Sequence, residues 1–503
     1  MFGKRLMKKH VLLFIIVIFT LFPMTDKEQT SYVSASNEST EDTDLERQID
    51  DVLQDSKLDG TVTGVSVRHA DTGEVMYSHE GDKRLRPASN MKLLTTAAAL
   101  EILGPDYQFE TEVLTDETTL GMVLKGNLYL RGKGDPTLMK EDLDAFAKDL
   151  KDKGIQKIEG NIVGDDRWYD DVRLSQDLNW SDEPFYTGAQ VSALTLSPDE
   201  DYDSGTVIVE VNPGDNEGDK ADVTITPETD YVNIVNKATT VETGQANTIS
   251  IERQHGNNDI VIKGDVPLED DETKSWVSVW EPTGYAVDVF RKSLEEQGIE
   301  VSEKAHEDIG SAPDEATVLT SKQSIPLSEL LIPYMKLSNN GHAETLTKEM
   351  GKVAGDEGSW DEGLEIMEET LASFGMDTGT LQLRDGSGMS HKDMVTSDEL
   401  THLLYQIQDK SWFSDYETSL PVAGIDERFV GGSLRYRMTD PPTKGNVVAK
   451  TGSISGVSTL SGYVTSADDE DLIFSIMINS FLEGPVTSIE DDIATILAKH
   501  EFE

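Results

Sequence analysis

Three short motifs in this chain carry residues able to do nucleophilic chemistry on a carbonyl group. In Ser89-Asn90-Met91-Lys92 a hydroxyl and an amine stand three positions apart, which places them on one face of a helix. A serine hydroxyl is a poor nucleophile at neutral pH, and a lysine can take its proton only if burial or nearby positive charge lowers the amine's pKa. Ser338-Asn339-Asn340 supplies a second hydroxyl, suited to relaying a proton to a leaving amine, and a carboxamide at Asn340 able to hold both a substrate amide and the lysine. Lys450-Thr451-Gly452 presents two donors to a carboxylate beside a glycine that lets a ligand backbone approach. Taken singly, each has a plain structural reading: a helix N-terminus, a helix C-terminal turn and a strand end. Ser-x-x-Lys and Ser-x-Asn each occur once in the chain.

The surrounding sequence indicates what must position these groups. From Asn90 to Leu103, apolar residues recur at helical spacing on a broad face, and Gly104-Pro105 stops the run. That helix is expected to be deeply buried, which would supply the desolvation that Lys92 needs. Before it, Val65-Ser66-Val67 and Glu74 to Ser78 flank a turn and read as a hairpin. From 107 to about 300 the texture changes to short β-like runs, such as Leu128 to Leu130, Val207 to Val211 and Ile260 to Ile262, with a helix around Lys140 to Lys151. Helical patterns return at Tyr285 to Gln297, Leu327 to Leu337, Ala343 to Val353, Trp360 to Phe374 and Ser397 to Gln408. Val447 to Lys450, Thr459 to Val464 and Leu472 to Ile478 then read as a meander, so Lys450 falls on a strand. A closing amphipathic helix carries Ile489, Ile493, Ile496 and Leu497 on one face and Glu490, Asp491 and Asp492 on the other, a pattern for packing on a sheet.

Composition narrows the partners. The 503 residues include 43 Lys+Arg against 95 Asp+Glu, a net charge of −52, with 37% hydrophobic residues. The length suits two or three domains with real cores. Phosphate backbones and anionic lipid would be repelled, so nucleic acid is excluded as a partner. The absence of cysteine excludes disulfides, thiolate catalysis and Cys-ligated zinc. At the N-terminus, Lys4, Arg5, Lys8 and Lys9 precede the apolar run Val11 to Phe22, and Val33-Ser34-Ala35 offers small residues for cleavage before Ser36. Residues 1–35 read as a secretory signal peptide, with an uncleaved anchor as the alternative, and residues 36–46 as a flexible polar leader. The expected location is outside the cytoplasmic membrane.

The ordered set Ser-x-x-Lys, Ser-x-Asn, Lys-Thr-Gly is that of penicillin-binding proteins and class A β-lactamases. The 249-residue separation of Ser89 from Ser338 is far longer than in class A β-lactamases. The chain resembles the D-alanyl-D-alanine carboxypeptidases/endopeptidases called class C low-molecular-mass penicillin-binding proteins, of the penicillin-binding protein 4 type, in which a long insert splits the catalytic domain there. Gly126 to Leu138 looks like the segment that opens that insert, and Asp385-Gly386-Ser387-Gly388-Met389-Ser390 like the family's Asp-Gly-Ser-Gly-Leu-Ser loop. Without the resemblance, Asp385 to Gly388 reads as a turn.

The resemblance implies an α+β fold: a penicillin-binding/β-lactamase-like serine transpeptidase domain, an antiparallel sheet flanked by helices, interrupted by mostly β inserted domains. The boundaries are 36–106 and 301–503 for the catalytic domain and 107–300 for the inserts, with a nested smaller β domain near 200–255. It implies that Ser89 attacks the penultimate D-alanine carbonyl, Lys92 takes its proton, Ser338 relays a proton to the departing D-alanine and Asn340 binds the peptide amide. Lys450 and Thr451 would hold the terminal carboxylate, and backbone N–H groups of Ser89 and Ser453 would hold the oxyanion. Peptidoglycan stem peptides are the implied substrates, shortened by a D-Ala or cut at cross-links, and β-lactams the covalent inhibitors; no cofactor or metal is implied. His342 and Glu344 could be imagined as metal ligands, but at i and i+2 on a helix they point apart and are expected at the surface. A catalytically impaired cell-wall binding protein and a β-lactamase remain as alternatives. With 52 excess negative charges, the melting temperature should rise with NaCl as the Debye length shortens toward about 3 Å near 1 M. A melting temperature indifferent to salt would show that the repulsion is already neutralised locally.

Overall fold

Alternating apolar residues let strands from the two ends of the chain share one antiparallel sheet, in the order Val448–Ile454, Val457–Thr465, Asp471–Asn479, Val62–His69, Val75–His79. The computed structural model describes residues 43–117, 121–482 and 484–502. The signal-peptide reading lies outside the described residues. Leu472, Phe474, Ile476 and Ile478 point to one face, where they meet Ile489, Ile493 and Leu497 of the Thr487–Lys499 helix. Ile473 and Met477 point to the other, into a core built on the Met91–Ile102 helix. That helix is buried from Met91 through Leu100, as expected of a segment apolar around most of its circumference. The helices Leu327–Lys336, Asn340–Ala354, Trp360–Ser373 and Ser397–Gln406 contribute to the same core.

After the Met91–Ile102 helix the chain builds a second, mixed sheet in the order Glu307–Ile309, Ile162–Asp165, Leu128–Lys133, Glu110–Thr115, Thr317–Gln323. The helices Lys140–Asp152 and Pro282–Glu296 pack together beside it. Two three-stranded sheets follow, one from Thr273–Ser278, Thr206–Asn212 and Asp222–Thr226, the other from Asn233–Val241, Asp259–Pro267 and Ser250–Arg253. The strands Glu307–Ile309 and Thr317–Gln323 lie past residue 300, so a boundary there cuts through the mixed sheet. The nested β strands likewise run on to Ser278, beyond 255. Segments distant in sequence are tied together at Glu349, whose buried carboxylate accepts hydrogen bonds from Trp168 Nε1 (3.0 Å), Tyr169 OH (2.6 Å) and Tyr107 OH.

Two sequence expectations change. The polar leader expected over 36–46 gives way from Thr43 to the Thr43–Val52 helix, in which Leu45 and Ile49 are buried against the C-terminal core. Glu490 does not share a solvent face with Asp492. It is fully buried, accepting from Ser458 Oγ at 2.6 Å and from Arg437 Nη2 at 2.8 Å, while Arg437 also reaches Asp491 at 2.6 Å. Breaking such a pair strands a buried carboxylate, so Arg437→Ala should cost about 3–5 kcal/mol in denaturant unfolding. Asp492→Ala, at an exposed position, should change stability by no more than about 0.5 kcal/mol. Equal midpoints for the two variants would refute the account of Glu490.

Candidate active site

A short 3-10 turn, Ala88–Asn90, leads into the Met91–Ile102 helix and carries Ser89 to its mouth. Ala88 sits at φ 46°, a costly left-handed conformation for a residue with a Cβ. It is held there because Thr459 Oγ1 donates to Pro87 O at 2.9 Å, while buried Asn90 donates to Ser461 Oγ at 2.6 Å. Lys92, on the first helical turn, is fully buried. Its Nζ lies 3.0 Å from Ser89 Oγ, 2.7 Å from Asn340 Oδ1 and 2.9 Å from the Ser387 carbonyl. A carboxamide oxygen and a peptide carbonyl can only accept, so they take both hydrogens of a neutral amine. The remaining lone pair is left facing the serine hydroxyl, the geometry required for proton abstraction. Burial pushes the Lys92 amine down to about 7, against the opposing charges of Glu344 and Asp385. The positive end of its own helix works in the same direction as burial.

Ser338 follows the Leu327–Lys336 helix in a left-handed conformation, φ 63°. Its Oγ accepts from Lys450 Nζ at 2.8 Å, and that amine also donates to Thr451 O at 2.9 Å. Burial, and then Lys92, push the Lys450 amine well below the ordinary lysine range; an incoming carboxylate would counter both influences. Thr451 Oγ1 lies 2.6 Å from Ser433 Oγ. Gly452 is needed for close approach: a Cβ there would fall 2.9 Å from both Ser89 N and Pro87 O. The edge strand therefore runs directly beside the Ser89 amide, and Ser453, exposed at the next position, begins its outer end. Ser89, Lys92 and Asn340 form one hydrogen-bonded group and Ser338 and Lys450 another, close enough for Lys92 to act on Lys450.

The profile of the D-Ala-D-Ala carboxypeptidase 3 (S13) family matches residues 45–500. The chain belongs to that family. It is 42% identical over 461 residues to a D-alanyl-D-alanine carboxypeptidase of Actinomadura sp. strain R39, covering 91% of this chain and 85% of the relative. A D-alanyl-D-alanine carboxypeptidase of Haemophilus influenzae is 26% identical, over 86% of this chain and 88% of its own. The fold matches the crystal structure of penicillin binding protein 4 from Haemophilus influenzae at TM-score 0.77 and 24% identity, covering 90% of this chain and 99% of that one.

In this family member several residues around the lysine lie outside the Ser-x-x-Lys, Ser-x-Asn and Lys-Thr-Gly motifs. Ser387, in the loop that resembles the family's Asp-Gly-Ser-Gly-Leu-Ser segment, contributes its carbonyl to Lys92. That loop is held by Glu344, whose carboxylate accepts from Gly386 N (3.0 Å), Ser387 N (3.1 Å) and Trp360 Nε1 (2.7 Å). Asp385 anchors the far side, accepting from Gly388 N and Ser390 N at 2.7 Å each. The expectation of a surface His342 and Glu344 is therefore wrong. His342 is fully buried with Nε2 2.7 Å from Tyr202 O, and Glu344 is buried beneath the loop. Both lie inward because the Asn340–Ala354 helix is covered on every side from His342 to Gly351. Burial lowers His342 to about 4, keeping it neutral, and burial followed by Asp385 raises Glu344 to about 7.

Lys92 must be neutral to accept a proton, and its folded value of about 7 lies far below the 10.5 of a free lysine. Acylation by a β-lactam should consequently rise with pH through about 7 and level off above it. Glu344 favours the ammonium form, so Glu344→Gln should move the midpoint to lower pH, besides slowing the reaction through loss of one backbone acceptor. A midpoint unmoved by that substitution in stopped-flow acylation would remove Glu344 from the electrostatics of the lysine.

Proposed function

We propose that the chain is a serine DD-peptidase that removes the terminal D-Ala of peptidoglycan stem peptides through an acyl-enzyme on Ser89. The observation that supports this reading most directly is the placement of the buried Lys92 amine between two pure acceptors and the Ser89 hydroxyl. Lys92 accepts the Ser89 proton as Oγ bonds to the carbonyl carbon of the penultimate D-alanine. The oxyanion is held by the backbone N–H groups of Ser89 and Ser453. Ser338 passes a proton to the departing D-alanine nitrogen as the C–N bond breaks, and Asn340 orients the peptide amide. Lys450 and Thr451 bind the free carboxylate. Water then attacks the ester, releasing the shortened peptide and restoring the Ser89 hydroxyl.

A β-lactam enters the same path, but its leaving nitrogen stays tethered after ring opening and obstructs water, so the ester persists. With the apolar run at Val11 to Phe22 read as a secretory signal, the enzyme works outside the cytoplasmic membrane on the cell wall. Among the described residues no helix is long and apolar enough to cross a membrane.

Ser89→Ala should abolish covalent labelling by a fluorescent penicillin while leaving the melting curve intact, and full labelling of that variant would sink the assignment. The carboxylate role is tested with peptides bearing a free or an amidated C-terminus. Wild type should prefer the free acid by roughly ten- to a hundredfold in kcat/KM, the value of a charged hydrogen bond. Lys450→Ala should erase most of that preference; strictly additive effects in the double-mutant cycle would place carboxylate recognition elsewhere.

A further inference from the structure

The left-handed turn at Ser338 is not held by the catalytic core alone. Asn339 N donates to Tyr334 O at 2.9 Å, and Asn339 Oδ1 caps the next helix by accepting from His342 N at 3.0 Å. The remaining donors of the turn reach out to the inserted region. Asn339 Nδ2 donates to Asp203 Oδ1 at 2.8 Å and to Tyr202 O at 3.3 Å. His342 Nε2 lies 2.7 Å from that same carbonyl, and Asn340 Nδ2 donates to Thr187 O at 2.9 Å. The loop supplying these acceptors is itself fixed. Tyr202 adopts φ 57°, its side chain packs against the catalytic core, and Asp201 pairs through both oxygens with Arg428. The insert thus holds Asn339, Asn340 and His342, while Asn340 also meets Lys92 and Ser338 meets Lys450.

We propose that the inserted region is a working part of the active site: its Asp199–Ser204 loop, through Asp203 and the Tyr202 carbonyl, fixes the turn that aims Ser338, making Asp203 a positioning residue for proton delivery to the leaving group. This rests on the reading of Ser338 as the proton relay. Without Asp203, Asn339 loses its shortest external acceptor, and the left-handed turn can relax toward ordinary backbone, moving the Ser338 hydroxyl. A misplacement of about 1 Å in a reacting group costs on the order of a hundredfold in rate. That loss falls only on reactions in which the leaving group needs a proton.

The test compares two acyl donors with the same acyl group, a D-alanyl amide and a thioester. An amine must be protonated as it leaves, whereas a thiolate departs without help. The amide-to-thioester ratio of kcat/KM should fall by about a hundredfold in Ser338→Ala and by tenfold or more in Asp203→Ala. Asp203→Asn keeps a side-chain oxygen that can accept from Asn339 Nδ2 and should restore the ratio. Equal losses on both donors in Asp203→Ala, with Ser338→Ala still selective for the amide, would mean that Asp203 serves only folding and would overturn the proposal. An unchanged ratio in Ser338→Ala would instead remove the relay reading itself, and this proposal with it.

Discussion

Burial brings the ammonium and neutral forms of Lys92 into balance near neutral pH. An ammonium removed from water is destabilised by several kcal/mol unless an anion touches it, and the atoms touching Lys92 Nζ are neutral oxygens. Glu344 and Asp385 raise its proton affinity from a distance without cancelling the effect of burial. This balance, an amine kept near neutrality with its lone pair on a serine, governs the placement of everything around it. The helix that bears it must be covered on all sides, the Ser-x-Asn turn must offer a carboxamide, and the 385–390 loop must turn one carbonyl inward.

Those demands explain where backbone strain accumulates. Ala88 and Ser338 both take left-handed conformations although each carries a Cβ, at a cost of order 1–3 kcal/mol apiece. Each is over-determined by neighbours: Ala88 by Thr459 and the close-packed Gly452 strand, Ser338 by hydrogen bonds to Asn339 from two parts of the chain. Gly388 completes the enclosure, since a Cβ there would fall 1.8 Å from Ala88 O. Strain and enclosure are thus parts of one arrangement, in which the strained turns point functional atoms inward and tight packing prevents their relaxation.

Legibility in the sequence followed the range of the interaction. Ser89 and Lys92 are joined by helical spacing, so a local rule found them together with the helix that buries them. The contact of Lys92 with Asn340 spans 248 positions and was reached only through the motif set. Ser387 acts through a carbonyl, which every residue has, so no side-chain type could mark it. The burial of Glu344 is not legible locally, because i, i+2 spacing says only that it points away from His342, whereas its helix lies inside the core. For Glu490 a signal was available: Ile493, Ala494 and Leu497 stand at i+3, i+4 and i+7, which puts the acid on the buried stripe. The boundary at 300 missed Thr317–Gln323 because this strand, largely exposed, lacks apolar alternation.

The negative charge of the chain opposes the approach of any substrate that ends in a carboxylate. Screening settles the conflict by distance. At physiological ionic strength charges separated by more than about 8 Å in solvent hardly interact, so most of the 95 acidic residues act on encounter rather than on the bound state. Within the site the ranges are those of hydrogen bonds and the surroundings are dry, where one cation about 4 Å away is worth several kcal/mol. Lys92, Lys348 and Lys450 are all fully buried, although lysine is among the residues least often found inside. Lys348 is paired with Asp170, whereas Lys92 and Lys450 have neutral oxygens in contact. In the mechanism proposed above, Lys92 is neutral to accept a proton, and a ligand carboxylate would supply the counter-charge to Lys450. With Lys450 as the carboxylate contact proposed above, such a site would favour a substrate that brings a carboxylate to Lys450 while presenting a carbonyl to Ser89.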